Sequence, residues 1–147
     1  MTTQFDALVL QHMASKICHD LISPIGAVNN GIEFMEEMGA DAFEDGIDLI
    51  NSSATQAAAK LKAYRIAYGL GGADGHITPD NVKEAIGEII QADGRITQDW
   101  VADANMAVFE GEYERPPAYC KMLICALLQA MDCLPKGGVI SVTLDGT

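Results

Sequence analysis

The N-terminal third of the chain is constrained most strongly by a row of small and apolar residues spaced alternately by four and three positions. The row consists of Ala14, Cys18, Leu21, Ile25, Val28, Ile32 and Met35. This is the heptad spacing of a helix that packs along one side against other helices. Each helical residue advances by about 100°, so His19 lies one step off the row and should reach solvent. The sequence therefore predicts a long amphipathic helix with an exposed histidine.

Pro24 falls in the middle of this predicted helix. Proline has no N–H, so the carbonyl of Asp20 loses its helical hydrogen bond, at a cost of about 3 kcal/mol in a helix interior. The apolar row continues through Pro24 without a change of phase. This favours one helix, loosened next to His19 and able to bend when a partner docks, over two helices that meet at Pro24.

A second apolar row predicts another long helix, from about Ala42 to Gly69, after a short turn at residues 39–41. Its members are Ile47, Ile50, Ala54, Ala57, Leu61, Tyr64 and Tyr68. Two long helices joined by a short loop lie antiparallel. Pairing two such hairpins about a two-fold axis buries both rows in a four-helix bundle. We therefore predict a homodimer.

Cations gather on the predicted hairpin around His19. Pairing about residue 40 puts His19 opposite Leu61, and the neighbouring cations are then Lys16, Lys60, Lys62 and Arg65. Residues 49–73 contain no acid, and residues 7–32 contain only Asp20, in a chain of net charge −12. Such a basic zone suits a phosphoryl group and an acidic docking surface. The alternative is that these side chains merely solvate a helix face.

Composition excludes several classes of function. The net charge of −12 argues against nucleic acid or an anionic membrane as a partner. No run approaches the roughly 20 apolar residues of a membrane span. The N-terminal residues have no signal-peptide character, so we expect a cytoplasmic protein. We expect the four cysteines to be reduced thiols, three of them on buried helix faces, and not a metal site or disulfide framework.

The second half of the sequence predicts a small α/β unit after a glycine-rich linker at residues 69–75. Thr78 and Pro79 begin a helix as N-cap and first residue. Strands are predicted at residues 96–101, 105–109 and 139–144. A helix is predicted at 118–134, and because it is apolar nearly all round we expect it to be buried on nearly all sides. The predicted fold class is α+β, with a helical hairpin in residues 1–72 and the α/β unit in residues 73–147. The chain stops just after a strand, so the unit is either a minimal sandwich or a truncated version of a larger domain, and the exposed sheet edge favours truncation.

Two segments resemble parts of histidine kinases. The order His19-Asp-Leu-x-x-Pro24 resembles their phosphoacceptor box, and residues 123–142 resemble the helix, turn and strand of their ATP-binding domain. In those kinases an Asn on this helix holds Mg²⁺, whereas this chain has Gln129, and the Asp-x-Gly-x-Gly loop is absent. The resemblance implies a degenerate domain that binds neither ATP nor a metal of its own.

A hairpin joined to such a remnant is similar to the ChpT-type histidine phosphotransferases of alphaproteobacteria. The segments that match are residues 18–24, 48–53, 65–69 and 134–139. The resemblance implies a phosphorelay: His19 takes a phosphoryl group from the receiver domain of a hybrid histidine kinase and passes it to the receiver Asp of a response regulator. The receiver would supply Mg²⁺, and Asp20 would keep His19 in the reactive tautomer. The implied docking surface consists of Ser15, Lys16, Ile22, Ser23, Gly26, Lys60, Lys62 and Arg65.

Three other functions stay open on the sequence. The chain could be the core of an ATP-dependent sensor histidine kinase, which Gln129 and the missing glycine loop argue against. It could be a non-catalytic adaptor whose bundle binds receivers. It could also be a structural four-helix bundle in which His19 is an ordinary surface residue.

Overall fold

The computed structural model describes residues 6–69, without the side chain of residue 41, together with residues 77–101 and 118–143. The described elements are four α-helices, one 3₁₀ turn and two strands. This mostly helical chain with a small sheet agrees with the predicted α+β class. The chain divides into two compact units, Met1–Lys60 and Leu61–Thr147.

The first unit is built from two long helices. Helix α1 spans Ala7–Met38 and begins at Asp6, whose side chain accepts a hydrogen bond from the Leu8 amide at 3.0 Å. A 3₁₀ turn, Gly39–Ala42, follows, and helix α2 spans Phe43–Tyr68, so the first unit holds α2 as far as Lys60. The two helices and the short turn between them confirm the prediction. Helix α1 also runs through Pro24 as one helix, as the unbroken apolar row indicated.

Glycines bring α1 and α2 close together. A Cβ built on Gly31 would lie 2.8 Å from Cγ1 of Ile50 and 3.2 Å from the carbonyl oxygen of Gly46. A Cβ on Gly46 would clash with the side chain of Met35. These partners lie at nearly equal distances from residue 40 along the chain, so within the first unit the helices are antiparallel in the predicted register.

The apolar row of α1 is partly buried within the chain and partly exposed to solvent. Leu21, Val28 and Met35 are half-buried, whereas Ile25 is 51% and Ile32 is 42% exposed. The buried residues of α1 are Pro24 and Gly31, which are seven positions apart and therefore share one face. The side of α1 that carries Pro24 and Gly31 thus packs within the chain, and Ile25 and Ile32 of the predicted row lie on the surface.

The second unit contains the end of α2 and four further elements. Helix α3 spans Pro79–Asp93, strand β1 Ile96–Trp100, helix α4 Tyr119–Asp132 and strand β2 Gly138–Val142. Thr78 caps α3 as predicted, because its hydroxyl accepts from the Asn81 amide while the Asn81 side chain accepts from the Thr78 amide. Gly94, in the left-handed conformation with φ 73°, ends α3.

The two strands form a parallel pair, with Ile96 opposite Gly138 and Trp100 opposite Val142. Helices α3 and α4 pack on this pair and on each other. The core of the second unit includes Val82, Ala85, Ile86, Ile89, Ile96, Ile124, Leu127 and Ile140.

The prediction that α4 is buried nearly all round is wrong, since Met122 is 72% exposed and Ala126 and Gln129 also face solvent. Its buried residues, Cys120, Ile124 and Leu127, follow the three-and-four spacing of a single face.

Several predicted features lie outside the described residues. These are the strand at 105–109, most of the linker at 69–75 and the domain boundary after residue 72. None of the helices that are described is long and apolar enough to cross a membrane.

Candidate functional site

His19 lies near the middle of α1 with its side chain 86% exposed. Its Nδ1 atom is 3.1 Å from Oδ1 of Asp20. In the tautomer with a proton on Nδ1, this nitrogen donates to the carboxylate, and Nε2 keeps a lone pair. An exposed imidazole held in this way presents Nε2 as a nucleophile.

Asp20 is the better-held member of this pair. Its side chain is only 15% exposed, and its Oδ2 atom lies 2.9 Å from Nζ of Lys16, one helical turn earlier. Partly exposed pairs of this kind contribute about 0.3–0.5 kcal/mol to stability, so the contact matters mainly for orientation. The carboxylate thus holds Lys16 with one oxygen and His19 with the other.

Lys60 approaches Asp20 from α2. Its Nζ atom donates to the backbone carbonyl of Asp20 at 3.2 Å. This is the carbonyl to which Pro24 cannot donate, because proline has no N–H. Lys60 is predicted as part of the docking surface, and its contact with the Asp20 carbonyl is not among the predicted features. The position of Pro24 and the hairpin register together were the signal that could have found it.

The remaining predicted docking residues of α1 surround His19. Ser15, Ile22 and Ser23 are exposed, and Ile22 is 69% exposed. Gly26 is half-buried, and a Cβ built on it would meet nothing within 4 Å. Spacings of three, four and seven positions from His19 put Ser15, Ile22 and Gly26 on its side of the helix. The structure therefore brings these residues together on one open face.

Lys62 and Arg65 belong to the second unit. The Nζ atom of Lys62 lies 2.5 Å from Oε1 of Glu88 and 3.5 Å from Oε1 of Glu84, both on α3. The hydrogen bond to Glu88, together with the charge of both acids, raises the pKa of Lys62. Arg65 is exposed. The spacing of four between Glu84 and Glu88 was the sequence signal for a cation partner on this face of α3.

The cysteines are free thiols, but fewer are buried than expected. Cys120 is buried and Cys125 is half-buried, whereas Cys18 and Cys133 are exposed. Burial raises the pKa of Cys125, and the charge of Lys121 opposes this in part. Cys18 was placed on a buried face because the apolar row was assigned to a bundle core, and in the single hairpin its side of α1 is open. Within residues 6–69, 77–101 and 118–143, no group of three or more His, Cys, Asp or Glu side chains is placed to hold a metal ion.

Comparisons with known proteins cover both units. The family model "Histidine phosphotransferase C-terminal domain" matches residues 79–147. Protein phosphotransferase ChpT of Brucella abortus (strain 2308) is 38% identical over 136 residues, which are 92% of this chain and 60% of that protein. A solved structure described as a 1.7 Å structure of a bacterial phosphotransferase has a TM-score of 0.71 and 35% identity, covering 99% of this chain and 65% of that chain. The chain thus spans less than two thirds of the length of these relatives.

Proposed function

We propose that the chain belongs to the ChpT-type histidine phosphotransferases, to which it is similar over most of its length, and that it is a phosphorelay intermediate that carries a phosphoryl group on His19. The observation that carries this proposal is the exposed imidazole of His19 with Nδ1 held by the mostly buried carboxylate of Asp20. In this arrangement the nucleophilic nitrogen faces solvent, where a partner protein can reach it. An aspartyl phosphate on a receiver domain is the donor that the family relationship favours.

Transfer to the protein is a displacement at phosphorus. The lone pair of His19 Nε2 forms the N–P bond while the P–O bond to the receiver Asp breaks, and that Asp leaves as a carboxylate. The imidazole becomes a cation, and the contact between Nδ1–H and the Asp20 carboxylate stabilises its charge. The reverse displacement by the Asp of a second receiver, belonging to a response regulator, returns His19 to its neutral form.

Phosphoryl transfer of this kind passes through a loose, in-line transition state, so positioning and charge neutralisation supply most of the catalysis. The receiver contributes its own Mg²⁺. This chain contributes the nucleophile, the group that orients it and a docking face. Ser15, Ile22, Ser23 and Gly26 are exposed or partly open on the His19 side of α1, which supports that role for them. Arg65 adds an exposed cation that an acidic receiver surface can meet. Lys62, which is paired with Glu84 and Glu88 on α3, would have to exchange one of these partners to take part.

We further propose that two copies of the chain form a four-helix bundle. The single hairpin leaves the apolar side chains of Ile25 and Ile32 exposed along one stripe of α1, and Leu8, Leu10 and Leu49 are exposed as well. Exposed apolar stripes of this length mark protein interfaces. Pairing two hairpins along this stripe would leave His19 exposed to solvent, because its side chain points away from Ile25 around the helix axis.

The second unit is proposed to be a remnant of a kinase ATP-binding domain that no longer binds ATP. Gln129, at the position where those kinases carry a metal-binding Asn, is an exposed residue of α4. Among the residues that the structure describes, the parallel pair of strands packed with α3 and α4 is the observation that supports a domain of that kind. We expect the whole protein to act in the cytoplasm, where receiver domains are phosphorylated.

The deciding experiment is label transfer from a receiver domain. A hybrid-kinase receiver from the source organism is phosphorylated with ³²P-labelled acetyl phosphate, freed of excess donor and mixed with the wild type, His19→Ala or His19→Gln without ATP. We expect label on the wild type only. A rival function, a receiver-binding adaptor, predicts that all three proteins bind the receiver and that none is labelled. Absence of label from an intact wild-type protein would overturn the phosphotransferase proposal.

A further inference from the structure

Pro24 and Lys60 both determine the hydrogen bonding of one backbone atom, the carbonyl oxygen of Asp20. In an α-helix this oxygen would accept from the N–H of residue 24, which proline lacks. Helix α1 nonetheless continues from Ala7 to Met38, and Pro24 is fully buried within it. The Nζ atom of Lys60 lies 3.2 Å from the Asp20 oxygen and donates to it from α2.

We propose that Lys60 is a positioning residue for His19. By donating to the carbonyl that Pro24 cannot serve, it holds the turn of α1 from which Asp20 fixes the imidazole. This inference rests on the proposed phosphoacceptor role of His19. It gives Lys60 a role inside the hairpin, in addition to any contact with a receiver.

A short chain of contacts links Lys60 to the reacting nitrogen. Lys60 Nζ holds the backbone of Asp20 at 3.2 Å, and Asp20 Oδ1 holds His19 Nδ1 at 3.1 Å. His19 is largely exposed, and Asp20 is its adjacent, better-buried partner. The orientation and tautomer of the imidazole therefore depend on where Asp20 is held. A hydrogen bond from an ammonium group is stronger than one between neutral groups, which suits it to hold a turn that proline has loosened.

A docking role and a positioning role for Lys60 predict different behaviour. A cation that only attracts a receiver raises the apparent KM when it is removed and acts independently of Pro24. A donor to the Asp20 carbonyl is needed because residue 24 has no N–H. Replacing Pro24 with Ala restores that N–H, so the effect of removing Lys60 should then shrink. Two residues that act through one shared atom are coupled in a double-mutant cycle.

The test uses the full chain as wild type, Lys60→Met, Pro24→Ala and the double variant. Lys60→Met removes the ammonium group but keeps an apolar stem of similar length. Lys136→Met, at an exposed position in the turn after α4, is the control for the loss of one positive charge. The first readout is the side-chain ¹⁵N shifts of His19 in its neutral form, which report how much of the tautomer has its proton on Nδ1. The second is the rate at which potassium phosphoramidate phosphorylates His19, because this small donor needs no docking surface.

We expect Lys60→Met to lower the Nδ1–H fraction and to slow phosphorylation by about threefold or more, and Lys60→Arg to restore both. In the Pro24→Ala background, Lys60→Met should change the rate by less than about twofold. Unchanged ¹⁵N shifts in Lys60→Met would overturn the proposal. An equal effect of Lys60→Met in both backgrounds would also overturn it, since Lys60 would then act by charge alone.

Two further comparisons keep the test decisive. If Lys60→Met does not fold, the proposal requires the double variant to fold, because the Pro24→Ala substitution supplies the missing N–H, and a double variant that is also unfolded contradicts it. The ¹⁵N measurement needs no phosphoryl transfer. A wild type that phosphoramidate does not label would therefore count against the proposed function, while the shifts would still decide the role of Lys60.

Discussion

The carbonyl oxygen of Gly46 lies 3.2 Å from the position that a Cβ on Gly31 would occupy. This close approach joins the two helices of the hairpin about three turns from His19, towards the connecting turn. Each helix has a glycine where its backbone meets the other, and the side chains of Met35 and Ile50 close over the contact. The register fixed here also brings Lys60 to the carbonyl of Asp20.

Gly31→Ala should lower the free energy of unfolding by about 1–2 kcal/mol, measured by urea denaturation. The new methyl group would sit 2.8 Å from the Ile50 side chain and against the Gly46 backbone, which cannot move without separating the helices. That strain outweighs the gain in helix propensity of about 1 kcal/mol.

Gly26→Ala is the matched control for Gly31→Ala. It makes the same change on the same helix, where a Cβ meets nothing within 4 Å. It should raise the free energy of unfolding by about 0.5–1 kcal/mol. Equal stabilisation by both substitutions would contradict the close helix contact.

Asp20→Asn should slow labelling of His19 by a phosphorylated receiver by about tenfold or more. The amide has the shape of the carboxylate, but it can donate to Nδ1 and so favour the tautomer in which Nε2 carries the proton. The neutral amide also stabilises the imidazolium product less well. Glu36→Gln, which removes an exposed acid near the far end of α1, is the control for net charge. A wild-type rate in Asp20→Asn would show that Asp20 does not orient His19.

Ile25→Lys combined with Ile32→Lys should convert the proposed dimer to a monomer, as measured by sedimentation velocity over a range of concentrations. Both side chains are exposed in the single hairpin, and two charges on one stripe oppose burial against a second copy. Ile22→Lys adds the same charge at a more exposed position on the His19 side of α1 and should leave the dimer intact. A wild type that sediments as a monomer at all concentrations would refute the proposed bundle.

Arg65→Ala should slow label transfer from the receiver by about tenfold at low salt without lowering the thermal unfolding temperature by more than a few degrees. The Arg65 side chain is exposed, so its removal costs little packing, whereas a cation facing an acidic partner speeds association. The difference from wild type should narrow as salt is added. Lys136→Ala controls for the loss of one surface cation. Transfer at the wild-type rate would mean that Arg65 takes no part in docking.

The amino-acid sequence determined the features that depend on neighbours along the chain. Heptad spacing gave both long helices and carried α1 through Pro24, and Thr78 with Pro79 marked the start of α3. His19 and Asp20 are adjacent in sequence, so a contact between their side chains was predictable from the order of residues alone.

Tertiary structure decided which face of each helix met which partner. The apolar row of α1 predicted roughly which side of the helix packs against a partner. The packing of Gly31 on Gly46 and Ile50 showed that the contact within the chain is centred one residue from the row, or about 100° around the helix axis from Ile32. The exposed side of α4, which carries Met122, was likewise not predicted, because nearly all sides of this helix are apolar in sequence. Lys60 on the Asp20 carbonyl and Lys62 on Glu88 join residues 40 and 26 positions apart. Such contacts depend on how the helices pack, which local propensity and spacing do not specify.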